Sequence, residues 1–281
     1  MSAVRLVCDS TADLPGSDAE EHDITVVPLR VIFGDEEFRD HAEIRPPEFY
    51  RRMRTSAVLP RTSQPAPGDF EAAFRRLGGS GDTVICTTIS AEMSGTYSSA
   101  AQARAALPDL DIRLIDSRSA NVGHYALIRA AVSRRDAGAG ADEIVAAAEA
   151  VRDTVRLLFT VESLEYLGRG GRIGGASKLL GNLLNIRPVL TVVDGKVEAF
   201  AKVRTYQSAV DRLFEEVRAA RDSWGDIEIF ISHGDEPDRV AGYVERARAI
   251  GGRDPIVLEV GPVIGCHAGP GSAGVAFHPV R

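Results

Sequence analysis

Very little in this sequence could form a disulfide. Only three cysteines occur in 281 residues, and Cys8, Cys86 and Cys266 lie far apart, each in or beside an apolar strand-like run. An odd, dispersed set of this kind suits buried reduced thiols better than disulfides or a metal site. No run of about 18 apolar residues occurs, so no transmembrane segment is expected. The first residues pass straight into a strand-like run without the charged and apolar stretches of a secretory leader, and a cytoplasmic location is expected. Positive charge is also in deficit, since 33 Lys and Arg face 40 Asp and Glu for a formal charge of -7. With no basic run and no RNA-binding aromatic motif, that balance argues against a nucleic-acid partner and against general affinity for anionic membranes.

What is present is an ordinary globular composition. Apolar residues make up 44% and charged residues 26%, enough for two modest domains, each with a core. The chain is organised around Thr87 to Ala100. Thr83 to Ile89 reads as a buried strand, and Tyr97 to Leu107 is rich in helix formers, so the segment between them is a strand-to-helix turn. A turn of this kind leaves N–H groups unpaired at the positive end of a helix and attracts an anion. Ser94 adds a hydroxyl and Gly95 keeps the backbone approachable, although a serine at a helix start also serves as a plain cap.

Strand, turn and helix recur through the first half. Val4 to Cys8 is a strand closing on the polar turn Asp9 to Pro15, and Thr25 to Phe33 is the next strand. A short helix is expected near Pro46, a stiff two-proline loop over Arg61 to Gly68, and a helix over Asp69 to Leu77. After the central turn come a strand over Asp111 to Ile115 and helices over His124 to Ala137 and Asp142 to Asp153. The alternation predicts a parallel sheet covered on both faces, with ligands outside the carboxyl ends of its strands.

The pattern changes after residue 155. Val155 to Val161 is a strand, and Gly168 to Gly175 is a glycine-rich loop holding Arg169 and Arg172. That loop lacks the Lys-Ser/Thr of a P-loop and the spacing of a dinucleotide fingerprint, so no nucleotide site is expected there. Ala176 to Leu184 reads as a short apolar helix. Arg187 to Val193 and Lys196 to Lys202 flank Asp194-Gly195, a hairpin signal. Amphipathic helices begin near Thr205 and Asp238, a strand covers Ile227 to Ile231, and a final long strand is expected over Ile256 to Ile264. The expected architecture is therefore α/β: an N-terminal three-layer domain (1–155) with a mainly parallel sheet, and a C-terminal α+β domain (156–281) with a mixed sheet.

Among the histidines, His267 sits in Gly265 to Gly271, read as a loop in which flanking glycines keep the backbone small for access. His233, after a strand, is its only rival, while His22, His41 and His278 carry no such signal. Ser94 and His267 could also serve a serine hydrolase. However, the nucleophile elbow needs glycine two residues before and after the serine, and Glu92 and Thr96 stand there.

Several motifs in fixed order resemble the DegV family of bacterial fatty-acid-binding proteins over nearly the whole chain. They are Cys8 to Leu14, Thr62-Ser63-Gln64-Pro65, Ser94 to Tyr97, Asp116-Ser117, Gly170 to Ile173, Arg187-Pro188 with Asp194-Gly195, and His267 to Gly271. The resemblance implies a long-chain fatty acid held between two α/β domains, its carboxylate at the interface and its tail in an apolar tunnel. It also implies that the carboxylate is presented to a separate ATP-dependent fatty acid kinase that makes an acyl phosphate. By the same resemblance Thr62, Ser94 and His267 bind the carboxylate with help from the Gly95 N–H, and Arg172 and Arg204 face the kinase or the developing phosphate. Two hydroxyls and an imidazole would leave the carboxylate reachable, with no strong cation to tie up the charge that must stay nucleophilic. No cofactor or metal is implied beyond the bound fatty acid, and transient membrane contact is compatible with such a ligand. Small departures, Ala66, Ser98 and Cys266, remove none of these residues. A binding protein for another amphiphilic acid and the serine hydrolase remain the alternatives.

Overall fold

The structure is a computed structural model and describes residues 3–182 and 186–280. Along the chain its strands are β1 (Val4–Asp9), β2 (Ile24–Val27), β3 (Arg30–Phe33), β4 (Glu36–Arg39), β5 (Arg61–Ser63), β6 (Thr83–Thr88) and β7 (Ile112–Asp116). The second half adds β8 (Arg156–Thr160), β9 (Arg187–Val193), β10 (Lys196–Val203), β11 (Ile227–His233), β12 (Ile256–Glu259) and β13 (Ala273–Pro279).

Four of them form a parallel sheet in the order β2-β1-β6-β7. Because successive side chains point to opposite faces, β1 and β6 serve two cores. Leu6, Cys8 and Ile85 join one, while Val7, Val84 and Cys86 pack on Phe70, Phe74 and Ala100 in the other. Helices Pro67–Gly78 and Thr96–Ala105 cover the second face, and Asn121–Asp136 with Ala141–Arg152 cover the first. This is the expected three-layer arrangement.

The second sheet is mixed, in the order β10-β9-β8-β13-β11-β12, antiparallel except for the β11–β12 pair. Helices Tyr206–Trp224 and Pro237–Gly251 bury Val210, Leu213, Phe214, Val217 and Tyr243 against one face. On its other face lies helix Asn121–Asp136, whose Tyr125 meets Phe230 of β11 edge-on at 6.0 Å. That helix is therefore packed on both sheets, which explains why residues 121–128 are all buried rather than buried along one stripe. A small antiparallel sheet, β4-β3-β5, completes the fold.

Several expected boundaries move. Thr25 to Phe33 is two strands in different sheets, because Pro28 has no N–H for the ladder and the next amide, Leu29, donates to Ser10 Oγ at 3.0 Å. The stiff loop contains β5, which pairs Thr62 with Val31. The expected final strand stops at Glu259, since Pro262 opens a helix, Pro262–Ala268, and the last strand is β13, which the sequence pattern did not reveal. Gly174–Asn182 is a 3-10 helix where an apolar helix over Ala176 to Leu184 is expected; Leu183 and Leu184 lie outside the described residues. Among the described residues no helix is long and apolar enough to cross a membrane.

Candidate functional site

In a sheet ordered β2-β1-β6-β7, the chain leaves β1 and β6 in opposite directions, and the crevice between their carboxyl ends is where ligands bind. Asp9, fully buried, fixes that crevice. One carboxylate oxygen accepts from the Thr11 amide at 2.9 Å and the other from the Ile89 amide at 2.6 Å, tying the turn after β1 to the turn after β6. The second of these turns carries Ser94, whose Oγ pairs with Thr96 Oγ1 at 2.8 Å at the start of helix Thr96–Ala105.

Three separate elements bring the other polar groups to it. Thr62 comes from β5 of the small sheet, His267 from helix Pro262–Ala268, and Arg172 from the glycine-rich turn. Thr62 Oγ1 and His267 Nε2 are 2.9 Å apart across 205 positions of sequence. Arg172 donates to the Met93 carbonyl at 3.0 Å and to the Gly170 carbonyl at 2.6 Å, which pins the glycine-rich turn onto the Ser94 turn. Thr62, Ser94, Arg172 and His267 all line one cavity of about 120 Å³. Thr62 and Ser94 are partly exposed and Arg172 is exposed, so this end is open to solvent.

Away from them the walls are apolar and come from both large sheets. Leu157 and Phe159 of β8, Val192 of β9, Val197 of β10 and Ile89 after β6 are among the lining residues. The cavity is smaller than the ~300 Å³ at which pockets for drug-sized ligands begin. A molecule that enters must be slender or must part the walls.

His267 is the electrostatic centre. Burial, and secondarily the charge of Arg172, lowers its imidazole from the ordinary 6.5 to about 4. It is therefore neutral near pH 7 and holds a single ring proton. Its Nδ1 is buried without a partner among the described residues, and Gly170 backs onto that atom, where a Cβ would lie 2.2 Å away. With the proton on Nε2, the imidazole donates to Thr62 Oγ1 and leaves the Thr62 hydroxyl proton for an acceptor in the cavity.

Other expectations need amendment. His267 lies in a helix, not a loop, and its flanking glycines answer to packing: a Cβ at Gly265 would sit 2.6 Å from Phe49, and one at Gly269 2.4 Å from Tyr166. The expectation of no strong cation at the polar end is not met, because Arg172 lines the cavity. Arg204 is exposed and is not among the lining residues; nor are Gly95 and His233, although Ser232 is. Gly95 instead accommodates Gln64, whose amide nitrogen would meet a Cβ there at 2.6 Å, and Gln64 is a lining residue that residue-by-residue reading did not single out. A hydrolytic triad is not assembled, since Ser94 pairs with Thr96 rather than His267 and no carboxylate partners His267 Nδ1 among the described residues.

A second polar cluster has no counterpart in the sequence reading. Asp13, Asp40 and His41 offer ligand atoms that all lie within 4.8 Å of one another. Burial raises Asp40 to about 7, and the Asp13 carboxylate, outweighing the opposing effect of burial, raises His41 to about 9. Both aspartates are dispersed in sequence and become neighbours only through the turns after β1 and β4, so no spacing announces them.

A family model described as "Uncharacterised protein, DegV family" matches residues 3–280. A DegV domain-containing protein of Clostridium acetobutylicum is 38% identical over 285 residues, covering 98% of each chain. Among solved structures, one described as fatty acid binding of a DegV family protein from Thermus thermophilus superposes with a TM-score of 0.92 at 34% identity, over 99% of this chain and 100% of that one. A stearic acid-binding protein from Eubacterium ventriosum also reaches 0.92, at 27% identity, over 99% of this chain and 98% of that one.

Proposed function

The chain belongs to the DegV family, and on that premise we propose that it binds a long-chain fatty acid and presents the carboxylate to a separate ATP-dependent kinase. The carrying observation is the convergence of Thr62, Ser94 and His267 at the solvent-open end of a small cavity whose remaining walls are largely apolar. The Thr62 and Ser94 hydroxyls can donate to a carboxylate without surrounding it, while the neutral imidazole of His267 donates to Thr62 Oγ1 and turns that hydroxyl proton toward the ligand. On this reading the two large sheets are the cores of two domains, 1–155 and 156–281, with the ligand between them in the cytoplasm.

The energetics divide the work. Burying some 15 methylenes is worth on the order of 12 kcal/mol at about 0.8 per group, before the costs of association and chain ordering are deducted. Each hydrogen bond to the charged headgroup adds about 1.5–3 kcal/mol. The tail thus supplies affinity, and the polar trio decides which end faces out. On this reading a long acyl chain enters so small a cavity by parting its apolar walls.

In the kinase reaction a carboxylate oxygen would attack the γ-phosphorus of ATP. An O–P bond forms, the bond to the β-phosphate bridging oxygen breaks, and ADP leaves with that electron pair. This chain contributes position only: Thr62 and Ser94 hold the headgroup, His267 orients the Thr62 hydroxyl, and exposed Arg172 and Arg204 face the partner or the transferred phosphoryl group. Since Arg172 spends two donors on backbone carbonyls, it neutralises the headgroup incompletely and leaves it nucleophilic.

Mass spectrometry of lipid extracted from the purified protein tests the binding reading, with a fatty acid near one per chain expected. Protein saturated with labelled fatty acid and mixed with a fatty acid kinase and ATP should then yield acyl phosphate, trapped by hydroxylamine as the hydroxamate. Ester turnover abolished by Ser94→Ala would instead support the hydrolase.

A further inference from the structure

We propose that Asp13, Asp40 and His41 form a binding site for one divalent first-row cation, best matched to Zn²⁺, at the foot of the helix that carries His267. Asp40 is only 1% exposed, and neither of its carboxylate oxygens makes a well-formed hydrogen bond among the described residues, the Ser10 hydroxyl and the Val263 backbone lying near it without the geometry of one. A carboxyl group buried in this way is costly unless something pairs with it or coordinates it. Nor is it sealed in by apolar atoms. It lines a cavity of about 650 Å³ together with Asp13, His41 and Glu259, and this cavity shares no lining residue with the one that holds Thr62 and His267.

The spacing suits a single ion. Ligand atoms of the three residues lie within 4.8 Å of one another, and His41 Nε2 is 2.8 Å from Asp13 Oδ1. Tetrahedral ligands about 2.1 Å from zinc stand about 3.4 Å apart, so small side-chain rotations complete the site. The second oxygen of Asp13 accepts from Asn121 Nδ2 at 2.7 Å, the kind of outer contact that aims a metal-binding carboxylate. Two carboxylates with one imidazole favour zinc or manganese over calcium or magnesium, which prefer all-oxygen sets. Water in the cavity supplies the remaining position.

One neighbour gives the site a consequence. A Cβ at Gly261 would lie 2.1 Å from Asp13 Oδ1 and 2.2 Å from His41 Nε2, so the bare backbone closes one side of the cluster. Gly261 is also the N-cap of helix Pro262–Ala268. A cation bridging Asp13, Asp40 and His41 would hold the turns after β1 and β4 together beneath that N-cap, and so brace the helix that positions His267.

The test uses the full chain, stripped with chelator and titrated with Zn²⁺ by calorimetry, with metal content measured after desalting. Wild type should retain one Zn²⁺ per chain, and saturation at ~100 times Kd should raise the melting temperature by roughly 5–10 °C. Asp40→Asn and His41→Gln, each verified as folded by circular dichroism, should weaken binding at least tenfold. In a parallel Co²⁺ titration, wild type should give visible d–d absorption that His41→Gln abolishes, a signature that does not depend on stability. Equal Zn²⁺ binding by wild type and both variants, or no retained ion in wild type, overturns the proposal.

Discussion

Gly170 occupies the one place where a methyl group would drive straight into His267, 2.2 Å from Nδ1. Its φ of -74° is ordinary for any residue, so the glycine is required by its neighbour and not by the backbone. Gly170→Ala should therefore tilt the imidazole and lengthen the Thr62–His267 hydrogen bond without straining the main chain. Losing about 1.5–3 kcal/mol of headgroup interaction corresponds to roughly 10–100-fold weaker fatty-acid binding. Fluorescent fatty-acid titration would measure it, and unchanged affinity would mean that the ring's position does not matter.

Thr62→Val keeps the shape of the side chain and removes the hydroxyl. If Thr62 donates to the carboxylate, the variant should bind the free acid about tenfold more weakly and bind its methyl ester as before. The ratio of the two affinities is the readout. A parallel loss for acid and ester would assign Thr62 to packing.

His267 predicts a sign for acid sensitivity. Its folded value of about 4 lies below the ordinary 6.5, so the unfolded chain takes up the proton first as pH falls. The stability it contributes is fully present above about 6.5 and is lost as pH drops toward about 4, at most about 3 kcal/mol in all. Urea titrations across that window should give a flatter pH dependence for His267→Gln than for wild type. An identical slope would contradict the assignment.

Arg172→Ala should raise the His267 value part of the way back, because the Arg172 charge is the lesser cause of the depression and burial the greater. Proton NMR of the imidazole would follow this. Lipid retention should change only a few-fold at an exposed, screened guanidinium, whereas acyl-phosphate formation with the kinase should fall much further. Lost lipid with normal coupling would remove Arg172 from the partner-facing role.

Val192→Phe should narrow the apolar part of the cavity, where Val192 is one of the lining residues. The fatty acids recovered from the variant should be shorter than those from wild type. An unchanged chain-length profile in the extracted lipid would place the tail elsewhere.

Local chemistry made much of this molecule legible. The buried, β-branched runs of β1 and β6, the polar turns that follow them and the hairpin at Asp194-Gly195 are near-neighbour signals, and the sheets they predict are present. Where the reading slipped, a local rule had two outcomes. Pro28 could end a strand or move the chain to another sheet, and the small-residue run Ala273–Pro279 gives no period because it is central and buried on both faces. Glycines around His267 looked like an access loop, yet they admit Phe49 and Tyr166 against a helix.

The sequence alone determined the strand-to-helix turn at Ser94, the absence of any disulfide framework or membrane-spanning run, and, through motif order, the family. Only the tertiary structure decided that Thr62 and His267, 205 positions apart, would touch, that Arg172 would lean on the Ser94 turn, and that Asp13, Asp40 and His41 would meet. The physical reason is that periodicity and turn chemistry act over a few residues, whereas these meetings depend on how two sheets pack on one shared helix, a property that no short stretch of chain encodes.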